Sequence, residues 1–299
     1  MTRVRNAILD DLINLLDLEP LEVNLFRGGS RDLGGKSVFG GQVLGQAMVA
    51  AARTVEEETP HSLHAYFLRP GDMEAPIVYE VDRIRDGRSF VARRVQAIQH
   101  GRPIFSMLAS FHKDEEGLSH QAPMPDVPPP EELTPEHELR RRWLEEAGDL
   151  PDRARKALTR ELAIEFRPVE PWNPLAPDKR APFQNIWFRA GGPLPDKPML
   201  HRCVLAYASD FNLLMTAMLP HGVSFMQKNM IVASLDHALW FHRPVVADEW
   251  LLYAMDSPWS QSSRGLSRGL IYNRDGELVA SVAQEGLMRQ IQGERRSDD

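Results

Sequence analysis

The chain contains an internal repeat, with one copy in each half. The segment HAYFLRP at 64–70 returns as HALWFHRP at 237–244, so that 174 positions separate Pro70 from Pro244. In both halves the motif precedes a strand-like stretch, a turn and a pair of long alternating strands. This period is much longer than the roughly 20 to 50 residues of solenoid repeats. The repeat therefore predicts a duplicated domain.

Each copy is expected to contain one long helix and a largely antiparallel sheet. The helices are predicted at 40–52, where glycine and alanine form a small-residue face, and at 199–218. Strands are predicted at 62–69, 76–85, 89–100 and 103–112, and again at 231–242, 250–257, 263–273 and 277–289. An antiparallel sheet can keep one face on a helix, and two such sheets can join edge to edge. The predicted fold class is α+β, in duplicate.

Composition divides the chain into two domains and a connector. The first copy is assigned to 1–115, with an amphipathic helix at 10–18, and the second copy to 183–291. Prolines punctuate the connector at 116–182, where a charged helix is expected at about 135–147. Residues 292–299 form a polar tail.

Charge and cysteine content exclude several functional classes. A net charge of −7 opposes bulk nucleic-acid binding, although a local basic patch still permits a phosphorylated small ligand. No run is expected to reach the roughly 18 apolar residues of a membrane span, so membrane insertion is not predicted and the expected location is cytoplasmic. The single cysteine, Cys203, excludes an intrachain disulfide and is expected to be a small buried residue.

Two apparent motifs are not expected to carry chemistry. The segment GLSRG at 265–269 fits the nucleophile elbow G-x-S-x-G, but it lies within a predicted strand and no histidine follows His242. Asp236 and His237 are strand neighbours and point to opposite faces, so they are not expected to form a dyad. His64, His237 and His242 are interpreted as structural. The histidines lack the spacing of a zinc site, and no metal is expected.

Several blocks, in the same order, resemble one known family. They are FGGQV at 39–43, HAYFLRPGD at 64–72, RDGRSF at 85–90, GRPIF at 101–105, Ser209-Asp210, LDHALWFHRP at 235–244 and ASVAQEG at 280–286. Together they resemble acyl-CoA thioesterase II, whose members hydrolyse fatty acyl-CoA. The resemblance implies two tandem hot-dog units that form a double hot-dog.

The resemblance also implies a catalytic trio in the second copy: Asp210, Ser234 and Gln284. Many relatives have Thr where this chain has Ser234, which keeps the hydroxyl but lacks the methyl group that restricts χ1. Three such groups can align one water towards an already activated thioester. From the residues alone, Asp210 is most simply an N-cap at the start of a helical run, and the other two are ordinary strand residues. The first copy lacks the trio and is expected to provide scaffold and interface.

Substrate contacts and partners follow from the same resemblance. Acyl-CoA is the expected substrate, with the acyl chain between helix and sheet, and no cofactor is expected. Arg264 and Arg268 are candidates for the CoA phosphates, with a solvated or intersubunit salt bridge as the alternative. Arg69, Arg243 and Glu285 are interpreted as structural or as residues that support the site from behind. A homodimer or homotetramer is expected. The competing functions are a hot-dog hydratase or dehydratase and a non-catalytic acyl-CoA binding protein.

Overall fold

One antiparallel sheet runs through both copies of the repeat. The computed structural model describes residues 6–150 and 152–291, and the predicted tail at 292–299 lies outside them. Within these residues thirteen strands form the sheet. Their order across it is β1 (Glu19–Glu22), β2 (Leu25–Gly28), β4 (Ile77–Asp86), β5 (Phe90–Gln99), β6 (Arg102–His112), β3 (Thr59–Phe67), β10 (Asp236–Phe241), β13 (Leu278–Gln290), β12 (Arg264–Tyr272), β11 (Leu251–Gln261), β8 (Phe183–Ala190) and β7 (Ile164–Pro168), and β9 (Met230–Ser234) also pairs with β13. The two copies join edge to edge through the pairing of β3 with β10, an arrangement that two antiparallel sheets allow.

The first copy follows the predicted pattern closely, with two additional short strands near its start. Its elements are α1 (Ala7–Leu16), β1 (Glu19–Glu22), β2 (Leu25–Gly28), α2 (Gly40–Ala52), β3 (Thr59–Phe67), β4 (Ile77–Asp86), β5 (Phe90–Gln99) and β6 (Arg102–His112).

The connector is partly built into the second copy. It contains α3 (Glu136–Glu146), α4 (Asp152–Thr159) and β7 (Ile164–Pro168), and β7 extends the outer edge of the sheet by pairing with β8. The indole N–H of Trp187 donates to Pro128 O at 3.0 Å, and the hydroxyl of Tyr272 donates to Pro123 O at 3.1 Å. These bonds fasten the proline-rich segment to the sheet.

The second copy differs from expectation at two places that matter for the site. Its elements are β8 (Phe183–Ala190), α5 (Pro198–Ser209), α6 (Leu213–Thr216), β9 (Met230–Ser234), β10 (Asp236–Phe241), β11 (Leu251–Gln261), β12 (Arg264–Tyr272) and β13 (Leu278–Gln290). The helix predicted at 199–218 is broken, because Asn212 adopts a left-handed conformation (φ 65°) that a continuous right-handed helix does not allow. The strand predicted at 231–242 is broken at Leu235.

The two copies of the repeated motif meet each other across the sheet. In the β3–β10 register His64 lies opposite Ala238, and Ala65 lies opposite His237. Equivalent residues of the repeat therefore exchange partners, as they do about a local two-fold axis. The ends of β3 and the start of β10 lie side by side at this junction.

Helices α2 and α5 cross on one face of the sheet at very close range. A β-carbon built on Gly41 would lie 2.4 Å from the carbonyl oxygen of Tyr207, and one on Gly45 would lie 3.3 Å from Cys203 O. Only glycine permits the first approach, because other residues carry that carbon. The predicted small-residue face of α2 thus packs against the helix of the other copy.

The stretch Pro198–His221 corrects one expectation about apolar runs. Its length and mean hydropathy of 1.2 reach those of a membrane span, although no such run was expected. In the fold, 72% of the most apolar 18 residues of this stretch are buried, as in the core helix of a globular domain.

Candidate active site

Asp210 lies where α5 ends, and this corrects the expectation that it begins a helix. It is the C-cap of α5, and its N–H donates to Ala208 O. Asn212, in a left-handed conformation, then turns the chain towards α6. The side chain is only 4% exposed. A helix C-terminus does not favour a negative charge, so the carboxylate depends on donors from other elements.

The three side chains of the predicted trio meet at a single carboxylate oxygen. Gln284 Nε2 donates to Asp210 Oδ1 at 2.6 Å, and Ser234 Oγ donates to the same oxygen at 3.4 Å. Gln284 is almost fully buried, whereas Ser234 is partly exposed. The bond from Ser234 is the longer of the two.

The break at Leu235 explains how two strands reach the same site. β9 and β10 both pair with β13, where Ser234 lies opposite Gly286 and Ala238 lies opposite Ala283. Leu235 bridges the interruption, because its N–H donates to Glu285 O and its carbonyl accepts from Phe67 N, both at 2.9 Å. Ser234 and Gln284 therefore lie close together on the neighbouring strands β9 and β13.

The second oxygen of Asp210 faces the start of α2 in the other copy. A β-carbon on Gly40 would lie 2.8 Å from Asp210 Oδ2 and 2.9 Å from the ring of Phe67. The first N–H groups of a helix have no intrahelical acceptor and carry a partial positive charge, which favours an anion. The first copy, expected to be scaffold and interface, thus borders the site directly.

His237 and Ser209 belong to this site, although sequence reasoning assigned neither of them a place there. Gln284 Nε2 lies 3.1 Å from His237 Nδ1, and Ser209 Oγ lies 2.9 Å from His237 Nε2. Burial lowers the pKa of His237 to about 4, although Asp210 opposes this, so the ring is neutral at neutral pH. Asp236 does point elsewhere, as predicted, and accepts from Glu285 N at 2.7 Å.

Aromatic side chains pack together where α2 begins and α5 ends, next to Asp210. The ring centroids of Phe39 and Phe211 lie 4.4 Å apart, and Tyr207 is 5.6 Å from Phe39. Phe67 packs on Phe105 at 5.3 Å. This largely buried cluster joins the start of α2 to the end of α5.

The two arginines predicted to hold phosphates are not brought to the trio. Ser267 pairs with Gln284 and is buried with it, so the alternating residues Arg264 and Arg268 lie on the opposite face of the sheet. Arg264 forms an ion pair with Glu285 at 3.1 Å, and Arg268 forms one with Asp256 at 2.5 Å. Their role towards CoA stays a prediction.

Other candidates show no arrangement for chemistry. Cys203 is fully buried, as predicted, and burial raises the pKa of its thiol to about 12. Ser267, in the elbow-like segment, lies within strand β12. Among residues 6–150 and 152–291, no group of three or more His, Cys, Asp or Glu side chains is placed to hold a metal ion.

Family models of acyl-CoA thioesterases match both halves of the chain. A family model described as acyl-CoA thioesterase matches residues 154–287, and one described as acyl-CoA thioesterase N-terminal domain matches residues 29–112. Acyl-CoA thioesterase 2 of Haemophilus influenzae is 43% identical over 94% of this chain and 98% of its own length. Human acyl-coenzyme A thioesterase 8 is 46% identical over 92% of this chain and 88% of its own length.

Solved structures are similar over nearly the whole chain. The acyl-CoA thioesterase II TesB2 from Mycobacterium marinum has a TM-score of 0.76 and 45% identity, over 95% of this chain and all of its own. A protein with a hot-dog fold from Alicyclobacillus acidocaldarius has a TM-score of 0.76 at 19% identity, over 97% of this chain and all of its own. The predicted α+β fold of two hot-dog units is confirmed.

Proposed function

This chain belongs to the acyl-CoA thioesterase family, and from that premise we propose that it hydrolyses fatty acyl-CoA by direct attack of water held by Asp210, Ser234 and Gln284. It is a thioester hydrolase, and its products are a carboxylic acid and CoA. The observation that supports the mechanism is the meeting of the three side chains at Asp210 Oδ1, with Oδ2 turned towards the start of α2.

Asp210 is the proposed base. Its carboxylate accepts a proton from water while the water oxygen attacks the thioester carbon. Gln284 and Ser234 hold the carboxylate, so the reacting atoms need little reorientation. Because the C–S bond is already activated, alignment and one proton transfer are sufficient without a covalent intermediate.

The first turn of α2 is proposed to stabilise the oxyanion. Attack turns the thioester carbonyl into a tetrahedral oxyanion, and backbone N–H groups at a helix start are suitable donors. When the intermediate collapses, the C–S bond breaks and the thiolate of CoA accepts the proton that Asp210 had taken. The acid, CoA and the original carboxylate result.

His237 is not a candidate acid or base for a hydratase mechanism. Both of its ring nitrogens are within hydrogen-bonding distance of protein groups, Gln284 and Ser209, and the side chain is fully buried. A hydratase of this fold needs a histidine that reaches the acyl chain. The arrangement therefore supports hydrolysis over hydration.

A thiol-release assay on palmitoyl-CoA separates the three candidate functions. We expect one equivalent of free CoA for each equivalent of palmitate, followed continuously with a thiol reagent. A change in enoyl absorbance on an unsaturated acyl-CoA without thiol release would instead identify a hydratase. Tight binding of acyl-CoA with neither product would identify a binding protein.

A pocket beside the start of α2 offers a better place for the CoA phosphates than Arg264 and Arg268. The pocket has a volume of about 440 Å³ and includes Arg69, Asp72, His100 and Arg102 in its lining. Gly71, which lies in the chain between the lining residues Pro70 and Asp72, accepts from Val38 N at 3.0 Å, two residues before α2 begins. Arg69 donates to Pro103 O, so its guanidinium retains further donors for a phosphate.

Loss of these cations is expected to weaken CoA binding without slowing catalysis. The double variant R69A/R102A should raise KM for palmitoyl-CoA about 10-fold, the effect of one or two charge-assisted hydrogen bonds, with kcat within about twofold. A truncated substrate, the palmitoyl thioester of N-acetylcysteamine, lacks the phosphates and should show no change.

Two control variants show whether a rise in KM is specific to this pocket. R243A changes the repeat equivalent of Arg69, which forms an ion pair with Glu277 at 3.4 Å, and should leave KM unchanged. R264A/R268A should also leave KM unchanged. A rise in KM in R264A/R268A, with none in R69A/R102A, would overturn the pocket and support the assignment made from sequence.

The cytoplasmic location and the assembly into a homodimer or homotetramer stay predictions from the sequence and the resemblance.

A further inference from the structure

The direction of the hydrogen bonds around His237 is determined by Ser209. The hydroxyl of Ser209 lies 2.9 Å from the carbonyl oxygen of Ala206 and 2.9 Å from His237 Nε2. A carbonyl only accepts, so the single hydroxyl hydrogen goes to Ala206 O, and Ser209 must accept from the ring. His237 therefore carries its proton on Nε2.

This tautomer in turn determines the orientation of the Gln284 carboxamide. The buried, neutral ring has a bare Nδ1, which accepts from Gln284 Nε2 at 3.1 Å. The other hydrogen of the same NH₂ group goes to Asp210 Oδ1 at 2.6 Å. A flipped carboxamide would place its oxygen against two acceptors, the carboxylate and the bare nitrogen, and both contacts would be repulsive.

The carboxamide oxygen that results is buried and has no hydrogen-bond partner among the described residues. Buried acceptors without a partner are costly and uncommon in native proteins. This one belongs to the side chain that holds the proposed base. A water molecule between the carboxylate and the substrate could donate one hydrogen to this oxygen and the other to Asp210.

We infer that Ser209 and His237 are positioning residues that lock the Gln284 carboxamide, so that its oxygen accepts a hydrogen bond from the attacking water. The inference rests on the proposed function of the trio. Neither residue touches the substrate. Ser209 acts through the ring of His237, and His237 acts through the carboxamide.

Ser267 is the competing explanation for the unpartnered oxygen. It lies directly opposite Gln284 in the β12–β13 register, and its hydroxyl is also buried without a partner among the described residues. A structural water between Ser267 and Gln284 would satisfy both groups and leave catalysis unaffected by the tautomer. The test must separate these two waters.

The experiment combines kinetics on palmitoyl-CoA with ¹⁵N NMR of the histidine rings in the intact chain. We expect S209A to lower kcat about 10-fold and H237L about 100-fold, with KM within about twofold, because alignment of the water is lost and binding is not. H237N supplies an acceptor for Gln284 and should recover most of the loss seen in H237L. S267A should leave kcat within about threefold.

The NMR readout reports the relay itself. In the wild type, the signals that disappear in H237N should show a protonated Nε2 and a bare Nδ1, and in S209A this pattern should become a mixture of tautomers. The inference is overturned if His237 has the opposite tautomer, if S209A and H237L retain full kcat, or if S267A is as slow as H237L. Residual hydrolysis in an Asp210 variant tests the proposed function separately, because it does not depend on the tautomer.

Discussion

Replacing Asp210 with Asn should lower kcat for palmitoyl-CoA by about 10²- to 10⁴-fold, the range that general-base assistance contributes. Asn has the same shape and keeps one oxygen for Gln284 and Ser234, so the buried site should retain its packing. It cannot take the proton of the attacking water. KM should change little, because Asp210 is not proposed to bind the substrate in its ground state. Thiol release under saturating substrate measures the effect.

The matched control for this variant is D236N, in the first residue of β10. Asp236 accepts from Glu285 N at 2.7 Å but points to the other face of the sheet from His237. Asn keeps an acceptor for that N–H, so we expect kcat within about threefold of wild type and a loss of stability of no more than about 1 kcal/mol. If D210N retained more than a tenth of the wild-type kcat, Asp210 would not be the base.

The trio illustrates what sequence could and could not supply. Its members were assigned by resemblance, because a strand serine and a strand glutamine carry no local signal that distinguishes them from ordinary residues. The matched sequence blocks identify the three side chains but give no distances between them. Their meeting depends on the interruption at Leu235, which lets β9 and β10 pair in turn with β13.

His237 was missed for a reason that is also physical. The argument that strand neighbours face opposite ways correctly separated it from Asp236, and Asp236 does bond elsewhere. The partners of His237 are 28 and 47 residues away in sequence, on α5 and β13. Only the packing of helix against sheet brings them together, and no periodic pattern encodes that contact.

The helix break at Asp210 was hidden by its surroundings. The apolar pattern continues from α5 through Phe211 to α6, so periodicity predicted one uninterrupted helix at 199–218. The repeat, in contrast, was visible at once. It correctly predicted two similar α+β units, because a duplicated motif can be recognised without knowledge of distant contacts.

Gly41 is the position where a single methyl group should do most damage to the fold. Its β-carbon would lie 2.4 Å from the carbonyl oxygen of Tyr207 and 2.5 Å from the ring of Phe39. The oxygen belongs to backbone and cannot rotate away, so α2 and α5 must separate. We expect G41A to lower the free energy of unfolding by about 2 kcal/mol, a typical cost of overpacking, despite the higher helix propensity of Ala. Urea denaturation measures the change.

Gly45, one turn further along the same face of α2, is the matched control for this contact. Its β-carbon would lie 3.1 Å from a methyl group of Leu16 and 3.3 Å from Cys203 O, distances that small shifts can relieve. The gain in helix propensity, about 0.5 to 1 kcal/mol, should offset that strain and leave G45A close to wild type. G41A should also slow thiol release. Asp210 lies only three residues after Tyr207, so a displacement of α5 at Tyr207 also moves the carboxylate. Equal stability of the two variants would show that the helix crossing tolerates a side chain at Gly41. The close contact of α2 with α5 would then not account for the position of the Asp210 carboxylate.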